Sequence, residues 1–313
     1  MTYQILRHNA FSLDVLRRIA SVWNNNATGR HAFYPWSETL LARLLEQRGG
    51  PAGVLLTAHA PDGNDVVGFA HCNQVREDGY PPAGVVEMIM VDSCHRNRGV
   101  GTALLGRALD TMDSFRPRPT FVDALGAWPF GYAFNVLADG SERSGVFLSE
   151  PAVYRLFRRA GFEPVRKSIV MRAELSGVES RPFPPGTGFY IGKRTENTWL
   201  DRVFRGRELW DHDFGRQDRR VLSRAIFGFM EGESEHEGRA IFSLFGVNTP
   251  HDMQRKGYAG MNISHVMRYV RELGGEVMEL HVYADNVPAL KLYEGLGFKG
   301  VAETVMMHKR FEV

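Results

Sequence analysis

A chain of 313 residues exceeds what one hydrophobic core usually organises, so two domains are expected. Its 43% hydrophobic and 24% charged residues are those of a globular protein, and the formal charge of +2, from 38 basic and 36 acidic side chains, excludes a global field for nucleic acid or a membrane surface. Two cysteines, Cys72 and Cys94, exclude a disulfide framework and fit a reducing compartment, and no apolar run nears the ~20 residues of a membrane span.

The chain opens on Met1-Thr2-Tyr3-Gln4 without the charged and apolar regions of a signal peptide, so a cytoplasmic location is expected. Tyr3 to Arg7 reads as a strand. Ser12 then caps a helix whose apolar positions Leu13, Leu16, Ile19, Ala20 and Trp23 recur at helical spacing. A second helix, Glu38 to Arg48, ends at Gly49-Gly50-Pro51. Gly53 to Ala58 and Asp65 to Val75 read as a hairpin about Pro61-Asp62-Gly63-Asn64. The strand Val85 to Val91, a basic Gly-rich turn Arg96 to Thr102 and a helix to Asp113 follow, then the strand Thr120 to Leu125. Gly126 to Ser149 is a long aromatic insertion, readable as a lid over core surface or as a substrate-contacting loop. A helix from Pro151 to Ala160 stops at Gly161, and Phe162 to Glu174 close the first domain, residues 1–175. The Pro-rich stretch 176–188 is the linker to a second domain, 189–313.

The second half repeats the order. Asn197 to Trp210 read as a helix that Arg219 to Leu222 continue, with Arg216, Arg219, Arg220 and Arg224 as a basic helix face. Arg224 to Gly232 and Gly238 to Val247 form a strand pair about Glu233-Ser234-Glu235-His236-Glu237, a charged hairpin tip. Gln254 to Gly260 open the helix Met261 to Leu273; Val277 to Tyr283 is a strand, Pro288 to Leu296 a helix, and a last strand follows Gly297-Phe298. Asp211-His212-Asp213 has metal-ligand residue types, but adjacent ligands rarely face one ion, and a solvated loop is the reading taken. No His or Cys spacing indicates a metal.

Gly99 and Gly257 lie 158 residues apart, whereas the helix stops Gly161-Phe162 and Gly297-Phe298 lie 136 apart; the difference falls on the aromatic insertion, 126–149. The repeat is a duplication with one decorated copy. In each copy a strand leads through glycines to a helix start, where backbone N–H groups and the helix dipole can hold phosphate. Arg96-x-x-Gly99-x-Gly101 and Gln254-x-x-Gly257-x-Ala259 resemble the loop signature of the GNAT superfamily of N-acetyltransferases. Asn286-x-x-Ala289-x-x-x-Tyr293-x-x-x-Gly297-Phe298 is similar to that superfamily's late helix motif. The tandem arrangement is similar to its two-lobed members typified by mycothiol synthase. The resemblance covers the chain apart from the linker and concerns architecture rather than substrate.

The resemblance implies an α/β fold of two tandem GNAT-like lobes, each a mixed, mostly antiparallel sheet flanked by helices. It implies acetyl-CoA as cosubstrate, without a metal, held at Arg96, Arg98, Gly99, Val100, Gly101 and Thr102 with the strand end Val91. The second lobe would hold it at Gln254, Arg255, Lys256, Gly257, Tyr258, Ala259 and Gly260, with Val247 and Asn286. The acceptor expected on this resemblance is a primary amine of a small molecule or peptide, taken by direct attack, in a monomer or homodimer expected to engage no nucleic acid or membrane. Tyr293 stands where the family places a proton donor for the departing thiolate; its first-half counterpart is Phe157, and that of Asn286 is Glu150. The second lobe is therefore the expected catalytic one. Glu87, on the strand before the first loop, is a candidate general base, with Ser243 as its counterpart. Catalysis in the first lobe through Glu87, and a non-catalytic acyl-CoA-binding protein, are the alternatives. Glu87 as an outward strand residue, Tyr293 as a core aromatic and Asn286 as a helix cap are the structural ones.

Overall fold

The computed structural model describes residues 3–8, 12–27, 35–39, 41, 53–61, 63, 65–75, 81–126, 145–179, 182–193, 209–216 and 220–311. These form two compact units, 3–167 with 304–311, and 168–303.

In the first unit the strands are β1 (Gln4–His8), β2 (Val54–His59), β3 (Val66–Val75), β4 (Ala83–Val91) and β5 (Phe121–Ala124), in spatial order β1-β2-β3-β4-β5. All neighbours are antiparallel except β4 and β5. The far side of β5 is closed by β13 (Lys299–Arg310), in the register Asp123↔His308, and the short β6 (Val146–Phe147) also pairs β13. Helices α1 (Leu13–Ala27), α2 (Val100–Asp113) and α3 (Pro151–Arg159) accompany these strands. Ser12 Oγ accepts from Val15 N at 3.3 Å, so α1 starts where a cap was expected. Its apolar stripe buries Leu16, Ile19 and Trp23 against Phe69, Met88 and Met90, while Leu13 stays exposed. On the other face Leu104, Leu105 and Ala108 of α2 and Phe157 of α3 pack on Leu56, Ala70 and Val86.

The second unit repeats this. Its strands are β7 (Glu163–Glu174, from Ser168), β8 (Thr187–Lys193), β9 (Leu209–Arg216), β10 (Val221–Phe229), β11 (Ile241–Asn248) and β12 (Val277–Tyr283). The order is β7-β12-β11-β10-β9-β8, with β11 and β12 the parallel pair. Helices α4 (Glu231–Glu237), α5 (Tyr258–Glu272) and α6 (Val287–Glu294) accompany it. Ile263, Val266, Met267 and Val270 of α5 pack on Phe227, Leu244, Met278 and Leu280.

Each unit takes its closing strand from the other half of the chain. The strand after α3 pairs β12 with Arg172 opposite Glu279, and the strand after α6 pairs β5 with His308 opposite Asp123. Arg172 and His308 are 136 residues apart, the spacing of the two helix stops. The expected boundaries, 1–175 and 189–313, follow the chain, whereas 168–174 lie in the second unit and 304–311 in the first.

Three elements differ from their sequence reading. Leu209 and Trp210 open a strand rather than ending a helix, whose remainder at 197–208 lies outside the described residues. Arg219 does too, and Leu222 lies in β10. The strand buries Leu209, His212 and Phe214, the last two on one face at the period of two that strands impose. The basic helix face dissolves accordingly: Arg224 pairs with Asp213 across β9–β10 at 2.7 and 2.9 Å, and Arg220 pairs with Asp252. Finally Glu231–Glu237 form α4, not a hairpin tip, and Glu233 is buried against Arg172 at 2.6 Å. Of the helix expected at 38–48, residues 38, 39 and 41 are helical and 40 and 42–48 lie outside the described residues, as do 127–144 of the aromatic insertion.

Candidate active site

The first basic loop is built from backbone upward. Asp92 Oδ1 accepts from Cys94 N at 3.0 Å and starts a 3-10 turn, Ser93–His95. Asn97 and Gly99 then take left-handed backbone, at φ of 58 and 82 degrees. Gly99 is the N-cap of α2, and no side chain caps that end. The first intrahelical bond runs from Ala103 N to Gly99 O at 2.9 Å. The N–H groups of Val100, Gly101 and Thr102 therefore precede the helical ladder and carry the positive end of its dipole. A methyl on Gly99 would meet nothing within 4 Å, so the space before these amides is open. The residues present fit a diphosphate.

The second loop is a backbone copy. Arg255 and Gly257 have φ of 62 and 80 degrees, 158 residues after Asn97 and Gly99. Gly257 caps α5, and Met261 N donates to Gly257 O at 3.1 Å, leaving the N–H groups of Tyr258, Ala259 and Gly260 before the ladder. The side chains repeat as well. Arg96 Nε donates to Val91 O at 3.0 Å, and Gln254 Nε2 donates to Thr249 O at 3.2 Å, each reaching five residues back. Thr249, rather than Val247, thus occupies the place of Val91, and Phe245 rather than Ser243 lies where Glu87 does. Lys256 is exposed, with Nζ 3.9 Å from Met253 Sδ, and Tyr258 packs on Phe214 at 5.8 Å between ring centroids.

In each unit the parallel strands beside the loop separate. The β4–β5 ladder runs from Ala83↔Phe121 to Val86↔Ala124, while β4 continues to Val91. The β11–β12 ladder covers only Ile241↔Val277 to Ser243↔Glu279, while β11 continues to Asn248. A crevice at the carboxyl ends of such strands is where open α/β sheets take ligands.

In the first unit that crevice is a cleft of about 610 Å³. Its walls are β4 from Glu87 to Val91, the loop residues Arg96, Asn97, Gly99, Gly101 and Thr102, and α3. Val100 is buried in the core and Arg98 is exposed outside the lining, so neither side chain faces the cleft. Arg96 lines it, yet part of its guanidinium is committed: besides Val91 O, Nη2 donates to Asn26 Oδ1 at 2.6 Å. Positive side chains come instead from Arg155 and Arg159 on α3. Neither is singled out by the sequence motifs, although an Arg-x-x-x-Arg pair puts two cations on one face of a helix.

Glu87 does not face outward. It is buried, lines the cleft, and its Oε2 lies 2.8 Å from His71 Nδ1, with both side chains fully buried. A β-bulge places it there: the β3–β4 register steps from His71↔Met88 to Cys72↔Val86, leaving Glu87 as the extra residue. Cys72, which follows His71 in the chain, is buried, and burial followed by the Glu87 charge pushes its thiol up to about 12. It is no thiolate nucleophile.

Tyr293 lies on α6, 9% exposed, packed edge-on against Phe298 at 5.8 Å. Phe157 repeats this against Phe162 at 5.0 Å. Asn286 caps α6, its Oδ1 accepting from Ala289 N at 3.3 Å, whereas Glu150 caps α3 without such a bond. The solvated-loop reading of Asp211-His212-Asp213 is overturned. His212 is buried in β9, bonded to Asn262 Oδ1 at 2.6 Å and to His265 Nδ1 at 2.9 Å. Burial holds the pKa of both imidazoles at about 4. Among the described residues no group of three His, Cys, Asp or Glu side chains could hold a metal, and no helix is long and apolar enough to cross a membrane.

Two family descriptions match the chain: "Acetyltransferase (GNAT) family" over residues 17–117 and "FR47-like protein" over 234–307. Relatives include the mycothiol acetyltransferases of Saccharomonospora viridis, 26% identical over 82% of this chain and 83% of that one, and of Geodermatophilus obscurus, 28% identical over 87% of each. Among solved structures, the tandem GNAT protein from the clavulanic acid biosynthesis pathway superposes with a TM-score of 0.72 at 14% identity, over 99% of this chain and 98% of that one. A GCN5-related N-acetyltransferase from Sphaerobacter thermophilus does so at 0.64 and 16%, over 99% and 97%.

Proposed function

For a chain that belongs to the tandem GNAT N-acetyltransferases, we propose transfer of an acetyl group from acetyl-CoA to the primary amine of a small molecule, by direct attack, in the cleft of the first unit. Acetyl-CoA is the cosubstrate of GNAT acetyltransferases and supplies an acetyl group activated as a thioester. Support comes chiefly from one observation: the buried Glu87 carboxylate and the open amide cradle at Gly99–Thr102 line the same cleft.

The residues divide the work as follows. The N–H groups of Val100, Gly101 and Thr102 hold the diphosphate. The part of β4 beyond its ladder, Glu87 to Val91, offers main-chain groups to the pantetheine arm, and a strand N–H there stabilises oxyanion charge on the acyl carbonyl. Glu87 takes the proton of the attacking amine, and His71 holds its carboxylate in place at 2.8 Å. An amine of pKa near 10 is mostly protonated at neutral pH, whereas a thiolate of pKa about 8.5 leaves with little help. The base is therefore the more demanding role, and the first unit has it.

A second reading places catalysis in the second unit. It is favoured by Tyr293, which carries a hydroxyl where the first unit has Phe157, on a helix that Asn286 caps beside an equivalent loop. Acetyl-CoA turnover with a panel of small amines, mycothiol-related amines among them, decides between the two. Gly99→Glu sets a carboxylate before the first cradle at a φ that side chains rarely adopt, and Gly257→Glu does so at the second. Loss of thiol release in Gly99→Glu alone supports the first unit. Loss in Gly257→Glu alone assigns turnover to the second, and no thiol release by the unaltered chain with any amine leaves an acyl-CoA-binding protein.

A further inference from the structure

Two arginines in the first cleft have no place in the reaction just described. Arg155 and Arg159 stand one turn apart on α3, both line the cleft and both are exposed. Like charges at this spacing repel, and among the described residues neither has an ion pair. Their neighbour Arg158 differs: it pairs with Glu163 and donates to Phe162 O at 3.0 Å. The carboxylates that share the cleft are elsewhere. Glu87 is held by His71, and Glu150 caps the start of α3, more than a turn before Arg155.

Leu156 fixes where these arginines sit relative to the phosphate cradle. A methyl built on Gly101 would meet Leu156 Cδ2 at 3.4 Å, so α3 touches the first turn of α2 between the two arginines in sequence. The cradle supplies backbone dipoles, suited to a diphosphate. Arg155 and Arg159 supply two planar forks with several donors each, suited to a phosphate monoester bearing close to two charges. A coenzyme A molecule carries one of each, the diphosphate and the ribose 3′-phosphate.

We propose that Arg155 and Arg159 form a second anion subsite that recognises the 3′-phosphate of coenzyme A in the first unit. This rests on the reading of that cleft as the donor site. It also distinguishes the two loops. At the 136-residue spacing Arg155 corresponds to Lys291 and Arg159 to Gly295, so the second unit has one cation where the first has two. An anionic group on the acceptor has the same chemistry, and ligands without an acceptor separate the two sources.

The test is equilibrium binding of coenzyme A and of 3′-dephospho-coenzyme A to the full chain carrying Gly257→Glu, which closes the second loop, with no amine present. The chain with both arginines is expected to bind coenzyme A about tenfold more tightly than the dephospho form. In Arg155→Ala/Arg159→Ala that preference should fall below about twofold, with the dephospho-coenzyme affinity unchanged, and its salt dependence should weaken. Equal loss of both ligands, or an undiminished preference, overturns the subsite. Circular dichroism of the double variant shows whether α3 and the sheet remain intact, so misfolding is not mistaken for loss of recognition. Failure of the Gly257→Glu chain to bind either ligand overturns instead the donor-site reading on which the proposal depends.

Discussion

At the scale of single residues, Glu87 is where position and chemistry meet. The bulge that sets it beside Met88 costs one ladder pairing and turns a strand residue toward the cleft, next to His71. Glu87→Gln keeps the shape and removes the base. Under the proposed reaction kcat falls about 10²- to 10⁴-fold while the affinity for acetyl-CoA, measured by binding, stays within about twofold. An unchanged kcat would remove the role. What could be read of such residues in advance depended on locality. Gly99 and Gly257 announce themselves because a left-handed helix cap is a requirement of two or three adjacent residues. The placement of Glu87 is legible only in part, since its residue type is visible but the bulge depends on pairing with β3. His212 shows the opposite failure. Flanked by Asp211 and Asp213 it reads as solvated, yet Leu209, His212 and Phe214 all turn inward, and Asn262 and His265, some fifty residues later, supply the partners.

At the scale of elements, α4 and β7 are joined by charge rather than by apolar packing. Arg172 on β7 bonds Glu279 of β12 at 2.6 Å, Glu233 of α4 at 2.6 Å and Glu237 at 2.9 Å. Glu279 and Glu233 are fully or nearly fully buried, and these carboxylates keep the guanidinium protonated against the cost of its own burial. Removing the cation leaves two buried carboxylates without their counter-charge. Arg172→Ala should destabilise the second unit by about 3–5 kcal/mol, read as a lowered denaturant midpoint, and Arg172→Lys should restore part of it. A loss under about 1 kcal/mol would mean the carboxylates simply take up protons. By local pattern Glu233 to Glu237 reads as a turn, because the run carries no apolar stripe. The helix is selected by a partner on a strand sixty residues away, which no local pattern contains. The helices that do carry stripes, α1, α2 and α5, were legible to within a few residues.

At the scale of the whole molecule, the repeat was visible in the chain and the exchange of closing strands was not. Repeats are read from residues at fixed spacing, whereas the partner of β5 or β12 is decided by which equivalent strand closes first and best. Both closing strands descend from the same repeat position, and either would suit either unit by pattern. Removing residues 304–313 takes from the first unit the strand opposite Asp123 and the core side chains Val305 and Met307. That truncation should abolish coenzyme binding in the first unit, assayed in the Gly257→Glu chain, and expose its core to proteolysis. Retention of both would show that β13 is dispensable to the site.

The same exchange sets a schedule for synthesis. Asp123 leaves the ribosome some 185 residues before His308, its partner across the ladder. At about 5–20 residues per second that is roughly 10–40 s during which β5 has no neighbour on that side. The second unit needs no residue beyond Glu303, and its borrowed strand β7 is made early. The half of the protein that is translated first is therefore the half that finishes folding last.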